Sequence, residues 1–134
     1  MLIAMSSLIL AISDILFCWN APSSIINIPP SEVSKVEIFN GTTGKSIVIT
    51  EKTEIRHIIE NLNTVSLKKE KISLGYMGYY FRTTIYKLDG NVYKKFIINS
   101  NNTIRKDLFF YRDSSASIDF DYIQQLFKKN ANTL

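Results

Sequence analysis

VEIFNGTTGKSIVITEKTEIRHIIENL, residues 36–62, carries two hydrophobic periods in succession. Val36, Ile38 and the run Ile47-Val48-Ile49 are β-branched residues on either side of a turn cluster, Asn40-Gly41-Thr42-Thr43-Gly44, in which Asn and Gly accept the positive φ of a reversal. After Thr50 the period lengthens. Ile55, Ile58, Ile59 and Leu62 fall at i, i+3, i+4 and i+7, one apolar stripe on a helix whose other faces carry Glu54, Arg56, His57, Glu60 and Asn61. The stretch therefore predicts strand, turn, strand, helix. It is a scaffold signature and contains no chemistry.

Working outward toward the C-terminus, residues 64–67 predict a short strand, and Lys68-Lys69-Glu70-Lys71 a solvated edge or loop. A Gly/Tyr-rich loop, residues 75–80, leads into a strand over residues 79–88. Asp89-Gly90 predicts a two-residue type I′ hairpin turn, which sets Leu88 opposite Asn91. That register puts the pairs Tyr86/Tyr93, Thr84/Lys95, Arg82/Ile97 and Tyr80/Asn99 on one face. Phe81, Ile85, Val92, Phe96 and Ile98 fall on the other, the face expected to meet the helices. Asn101-Asn102 predicts a further turn, and Lys106-Asp107 a bulge or short break before Leu108-Phe109-Phe110-Tyr111. Asp119 is placed to cap a last helix, Ile118 to staple against Ile123, and Phe120, Ile123, Leu126 and Phe127 to form its apolar face. The expected fold class is α+β, a mostly antiparallel sheet in the order β-β-α-β-β-β-β-α with both helices on one face.

In the other direction, residues 1–19, MLIAMSSLILAISDILFCW, are apolar except for three serines and Asp14. A helix of that length would reach about 28 Å, close to the thickness of a bilayer core. A membrane anchor, a signal peptide with its apolar region at residues 2–12, and a buried helix all fit. No Lys or Arg precedes Leu2, where secretory signals begin with a basic region. Residues 20–31 hold all three prolines with several serines and read as a linker, so that the folded domain is expected over residues 32–130, with residues 1–30 dispensable for folding.

The chain of 134 residues has 16 basic and 12 acidic side chains, net charge +4, and every basic residue lies from Lys35 onward. That balance favours anionic neighbours without choosing among polymer, lipid and nucleic acid. Cys18 is the only cysteine, so neither an intramolecular disulfide nor a multi-cysteine metal site is possible. Gly41-Thr42-Thr43-Gly44-Lys45-Ser46 ends like a phosphate loop, but Phe39 stands where the motif needs glycine, and a strand follows where it needs a helix. His57, the only histidine, falls on the helix face away from the apolar stripe and is expected in solvent. One histidine and one cysteine supply no nucleophile, base and orienting group together, so no enzyme, cofactor or metal site is expected. The candidate binding face is Tyr80, Arg82, Tyr86, Tyr93 and Lys95, aromatic and cationic residues interleaved on one β surface.

The run NGTTGKSIVITEKTEIRHIIENLN, followed by a Gly/Tyr stretch, a Tyr-rich hairpin and a closing helix, resembles small uncharacterised exported or membrane-anchored domains of low-G+C Gram-positive bacteria over residues 36–128. The resemblance lies in strand-turn-strand-helix patterning and carries no functional residue. It implies an envelope-associated, non-enzymatic domain on the extracytoplasmic side, with the membrane reached through residues 1–19 and a protein or an anionic envelope polymer as partner. The alternatives are a soluble single-stranded nucleic-acid-binding module using the Tyr/Arg/Lys face, and an immunity or inhibitor protein.

Overall fold

The computed structural model describes Ile9 and residues 21–132. Apart from Ile9, the apolar N-terminal segment expected to be helical lies outside the described residues. Among residues 21–132 eight strands and two α-helices follow one another, with a 3-10 turn at Pro30–Glu32 ahead of the second strand: β1 (Ser23–Ser24), β2 (Val33–Asn40), β3 (Lys45–Ile49), α1 (Lys52–Thr64), β4 (Ser66–Ile72), β5 (Phe81–Lys87), β6 (Val92–Ile98), β7 (Thr103–Lys106), β8 (Phe109–Arg112) and α2 (Phe120–Ala131). The strands form one sheet in the order β1-β4-β8-β7-β6-β5-β2-β3, with every neighbouring pair antiparallel. The α+β class holds.

Residues 36–62 fold as their periods require. β2 and β3 pair from Val36↔Ile49 to Asn40↔Lys45, and the Asn40 carboxamide accepts the Thr42 amide within the turn. Ile55, Ile58, Ile59 and Leu62 are all buried. They share a core with Val36, Ile38, Phe81, Ile85, Phe96 and Ile98 from alternate strand positions, and with Ile123 and Leu126 of α2. Asp119 caps α2 by accepting the Tyr122 amide at 3.2 Å. Phe81 meets the rings of Phe120 and Phe127 at 4.9 and 5.4 Å between centroids.

Three expectations are corrected. First, the Pro/Ser segment is no free linker. Ile25, Ile26 and Ile28 are 4%, 2% and 4% exposed and belong to the core. Asn63 grips the backbone of Ile28 from both sides, accepting its amide at 3.2 Å and donating to its carbonyl at 2.8 Å. Each buried isoleucine contributes about 1.5–3 kcal/mol, so the folded unit begins ahead of residue 32.

Second, the β5–β6 connection is a three-residue loop and not a two-residue I′ turn. The type I′ turn needs positive φ at both central residues, and only Gly90 has it. Lys87 instead pairs with the Asn91 carbonyl at 2.9 Å, and Tyr86 falls opposite Val92. A bulge then absorbs Tyr93 and restores the expected register from Ile85↔Lys94 to Phe81↔Ile98. Val92, expected in the core, is exposed.

Third, of the bulge or short break expected at Lys106-Asp107 the structure has the break, and it is a full reversal. Asp107, at φ 55°, begins a tight reversal that pairs Lys106 with Phe109 and makes β7 and β8 separate strands. This adds one strand to the expected order. The lysine run at residues 68–71 lies within β4, and since β1 pairs only with Ser66 and Leu67, it occupies a solvated strand edge.

β4 and β5 run parallel with three strands between them, so residues 73–80 must return across the sheet. They do so on the face opposite the helices. The Ser73 amide donates to the Leu108 carbonyl at 2.7 Å at one end, and the Gly41 amide to the Tyr80 carbonyl at 2.7 Å at the other. Gly41 has no substitute at that crossing, because a Cβ there would meet the Tyr79 carbonyl oxygen at 2.4 Å. This segment is called the strap below.

Candidate functional site

Strand alternation puts Lys35, Glu37 and Phe39 of β2, Arg82, Thr84 and Tyr86 of β5, Lys95 and Ile97 of β6, Arg105 of β7 and Phe110 of β8 on the helix-free face. Of the five residues expected to form the binding face, Arg82, Tyr86 and Lys95 come together here. They line a depression of about 420 Å³ with Glu37, Phe39 and Thr84. Tyr80 and Tyr93 do not join them. Tyr80 precedes β5 and sets its ring edge-on to Phe120 of α2 at 5.3 Å. Tyr93, displaced by the bulge, packs against the core, and its hydroxyl accepts the Asn27 amide at 3.0 Å.

Sequence reasoning missed Lys35, Glu37, Phe39 and Arg105. Alternation within β2 was available to find the first three. The fourth required the β7–β8 reversal. Glu37 accepts from Lys35 Nζ at 3.0 Å and from the Tyr86 hydroxyl at 2.9 Å. Those hydrogen bonds, Lys35 first, hold its carboxyl below the ordinary range, while the same carboxylate raises both Lys35 and Tyr86. Lys35 Nζ also lies 4.4 Å from the Tyr86 ring centroid. The ring is therefore engaged on its cationic side, and the one acid on this part of the face is already satisfied.

The cations are differently placed. The Arg82 guanidinium carbon lies 4.8 Å from the Phe39 ring and 5.6 Å from that of Tyr79. Arg105 donates to the Tyr76 carbonyl at 3.2 Å, and Lys71 to the Tyr76 hydroxyl at 3.3 Å. Tyr76 in turn meets Phe110 edge-on at 5.2 Å. Alternating cations and rings thus bind the strap to the sheet. Among the described residues, no carboxylate pairs with Lys71, Arg82, Lys95 or Arg105 within 4.0 Å.

His57 is less solitary than its helix position implies. Its Nε2 lies 2.7 Å from Asp119 Oδ2, and its ring stacks on Tyr122 at 3.7 Å between centroids, so it joins α1 to the start of α2. Asp119 is the α2 cap, and the pair reads as a helix-to-helix contact. Gly41-Thr42-Thr43-Gly44 forms the β2–β3 turn, with Lys45 and Ser46 in the strand that follows. Among the described residues, no group of three or more His, Cys, Asp or Glu is placed to hold a metal ion, and no helix is long and apolar enough to cross a membrane. Cys18 lies outside them. No family model, no curated protein and no solved structure matches this chain.

Proposed function

We propose that the protein is a non-enzymatic binding domain of the bacterial envelope, tethered on the extracytoplasmic side through residues 1–19, and that its helix-free sheet face meets an anionic partner. The observation that carries this is the charge on that face: among the described residues Arg82, Lys95 and Arg105 have no carboxylate within 4.0 Å, and Glu37 beside them is occupied by Lys35 and Tyr86. Cations gathered on one face attract a polyanion at a distance set by the Debye length, about 8 Å at physiological salt. The nucleic-acid alternative calls for free aromatic platforms, and this arrangement supports it less, since Tyr80 and Tyr93 turn away and Tyr86 is engaged by Lys35.

The test is fractionation of the full chain, epitope-tagged at its C-terminus, in a low-G+C Gram-positive host. The tag is expected in the membrane fraction and open to protease added outside intact protoplasts. Recovery in the soluble cytoplasm would overturn the proposal. So would single-stranded DNA binding tighter than about micromolar at about 0.15 M salt, if Tyr86→Ala abolished it without unfolding the protein.

A further inference from the structure

The strap splits its large side chains between contact with the sheet and solvent. Tyr76 and Tyr79 reach the sheet through Phe110, Arg105, Phe39 and Arg82. Leu74 and Met77 do not share that burial, being 67% and 96% exposed. Ile72 and Leu108 are exposed beside the strap's first residue, where the Ser73 amide meets the Leu108 carbonyl. Gly75 and Gly78, at φ 84° and 86°, flank Tyr76 and Met77 in conformations that other L-residues rarely adopt. Ile, Leu, Met and Leu are thus exposed on the strap and at its start, where polar residues would have served, and we read them as a contact surface.

Two further observations say what the contact is. Lys71 and Arg105 bond to the strap itself, Arg82 lies against its Tyr79, Lys95 stands beside Arg82 and Arg105 on the same face, and among the described residues none of the four has a carboxylate within 4.0 Å. Apolar tips fringed by uncompensated cations match a surface with anionic groups at one depth and hydrocarbon just beneath, the cross-section of an anionic bilayer. The second is direction. β1 pairs antiparallel with β4 as Ser24↔Ser66 and Ser23↔Leu67, so the chain ahead of Ser23 comes from the Ile72 end of β4, where the strap starts. Residues 21–22 and the start of the strap, with Ile72 and Leu108 exposed beside it, therefore share one end of the sheet.

We propose that the strap is a membrane-docking element: Leu74 and Met77, with Ile72 and Leu108, enter the interface of an anionic lipid bilayer while Lys71, Arg82, Lys95 and Arg105 contact its headgroups. This names the anionic partner of the preceding proposal and rests on its tether. Soluble anionic polymers offer the same phosphate charge but no hydrocarbon, so they separate from lipid by their indifference to Leu74 and Met77.

The experiment uses the full chain with Cys18→Ser and a single environment-sensitive fluorophore at Met77→Cys or, as a control on the helix side, at Glu60→Cys. Each protein is reconstituted with vesicles of phosphatidylglycerol or of phosphatidylcholine, and vesicles are recovered by flotation. The label at 77 is expected to shift to the blue and to be quenched by lipids carrying a nitroxide high on the acyl chain, in phosphatidylglycerol only, with the label at 60 unchanged. Leu74→Ser should reduce the inserted fraction about tenfold, the order expected from removing one leucine from a hydrophobic contact. Lys95→Glu should reduce it severalfold in an ionic-strength-dependent way. Protein that floats with the vesicles while the label at 77 stays in water overturns the docking element and leaves the tether standing. Failure to float, with no shift, overturns both. Equal shifts in the two lipids, a shift at 60, or a shift without vesicles that grows with protein concentration would each overturn it, the last in favour of a second copy covering the strap.

Discussion

Two connecting segments of similar length, one of them holding only the two-residue β1, treat their apolar residues in opposite ways. Residues 21–29 bury Ile25, Ile26 and Ile28 beneath the domain, whereas the strap leaves Leu74 and Met77 in solvent. Hydropathy does not separate them, and neither does the density of turn-forming residues, since one has proline and the other glycine. The backbone does. Ile28 is fastened at both its amide and its carbonyl to Asn63, and the Asn27 amide to Tyr93, so the first segment is drawn inward by polar groups that would otherwise go unpaired. The strap is fastened at its ends by Ser73 and Tyr80 and at its middle by Tyr76. It crosses the face that the described helices leave open, and Leu74 and Met77 stay exposed there.

The largest expected effect breaks or upholds the first half of that contrast. A protein beginning at Pro30 loses three buried isoleucines, about 5–9 kcal/mol by area, which is comparable to the whole stability of a small domain. It should show no cooperative urea transition, and a sharp, reversible melt from it would show that residues 21–29 merely rest on the fold. Ile26→Ala in the intact chain should cost about 2–5 kcal/mol. Gly41→Ala acts at the strap's far anchor, where the new Cβ would collide with the Tyr79 backbone. A loss of about 1–3 kcal/mol is expected, together with faster amide exchange at Gly41, whose partner is the Tyr80 carbonyl. Unchanged exchange would mean the crossing is not a fastening.

A third irregular segment, residues 113–118, is organised by charge, and it sharpens the comparison through pH. Burial alone would push the Asp113 carboxyl up, but the Ser117 hydroxyl and the amides of Ser117 and Ser115 donate to it and bring it below its ordinary value. A folded-state value below the unfolded one stabilises the protein above the unfolded value, about pH 3.9. That contribution disappears as pH falls through the folded value. Asp113→Asn should therefore be less stable than the parent at pH 7 by about 1–3 kcal/mol, with the gap closing below about pH 4. A gap that persists at pH 2.5 would assign the loss to shape and not to charge. The smallest effect belongs to the strap: Leu74→Ala should leave stability within about 0.5 kcal/mol, and a larger loss would show that Leu74 is packed.

Much of the fold is legible in residue order because period and propensity act locally. The stripe at Ile55, Ile58, Ile59 and Leu62 and the cap at Asp119 needed no partner to be recognised. The candidate face was legible only in half. Arg82, Tyr86 and Lys95 follow from strand alternation, but Tyr93 left with a bulge and Tyr80 with an aromatic contact to α2, neither of which is encoded near them. The His57 contact was hidden for the same reason, since Asp119 and Tyr122 lie more than sixty residues away.

By itself the sequence determined the α+β class, the first hairpin, both described helices with their buried stripes, and a basic surplus confined to the chain beyond Lys35. These depend on neighbours within a turn or two. Tertiary structure alone decided that the Pro/Ser segment enters the core, that β7 and β8 reverse at Asp107, and that the Gly/Tyr loop crosses the sheet as a strap. The last of those outcomes was settled by pairing between distant strands: β4 and β5 are kept three strands apart, and the eight residues joining them must cross the face that the helices leave open.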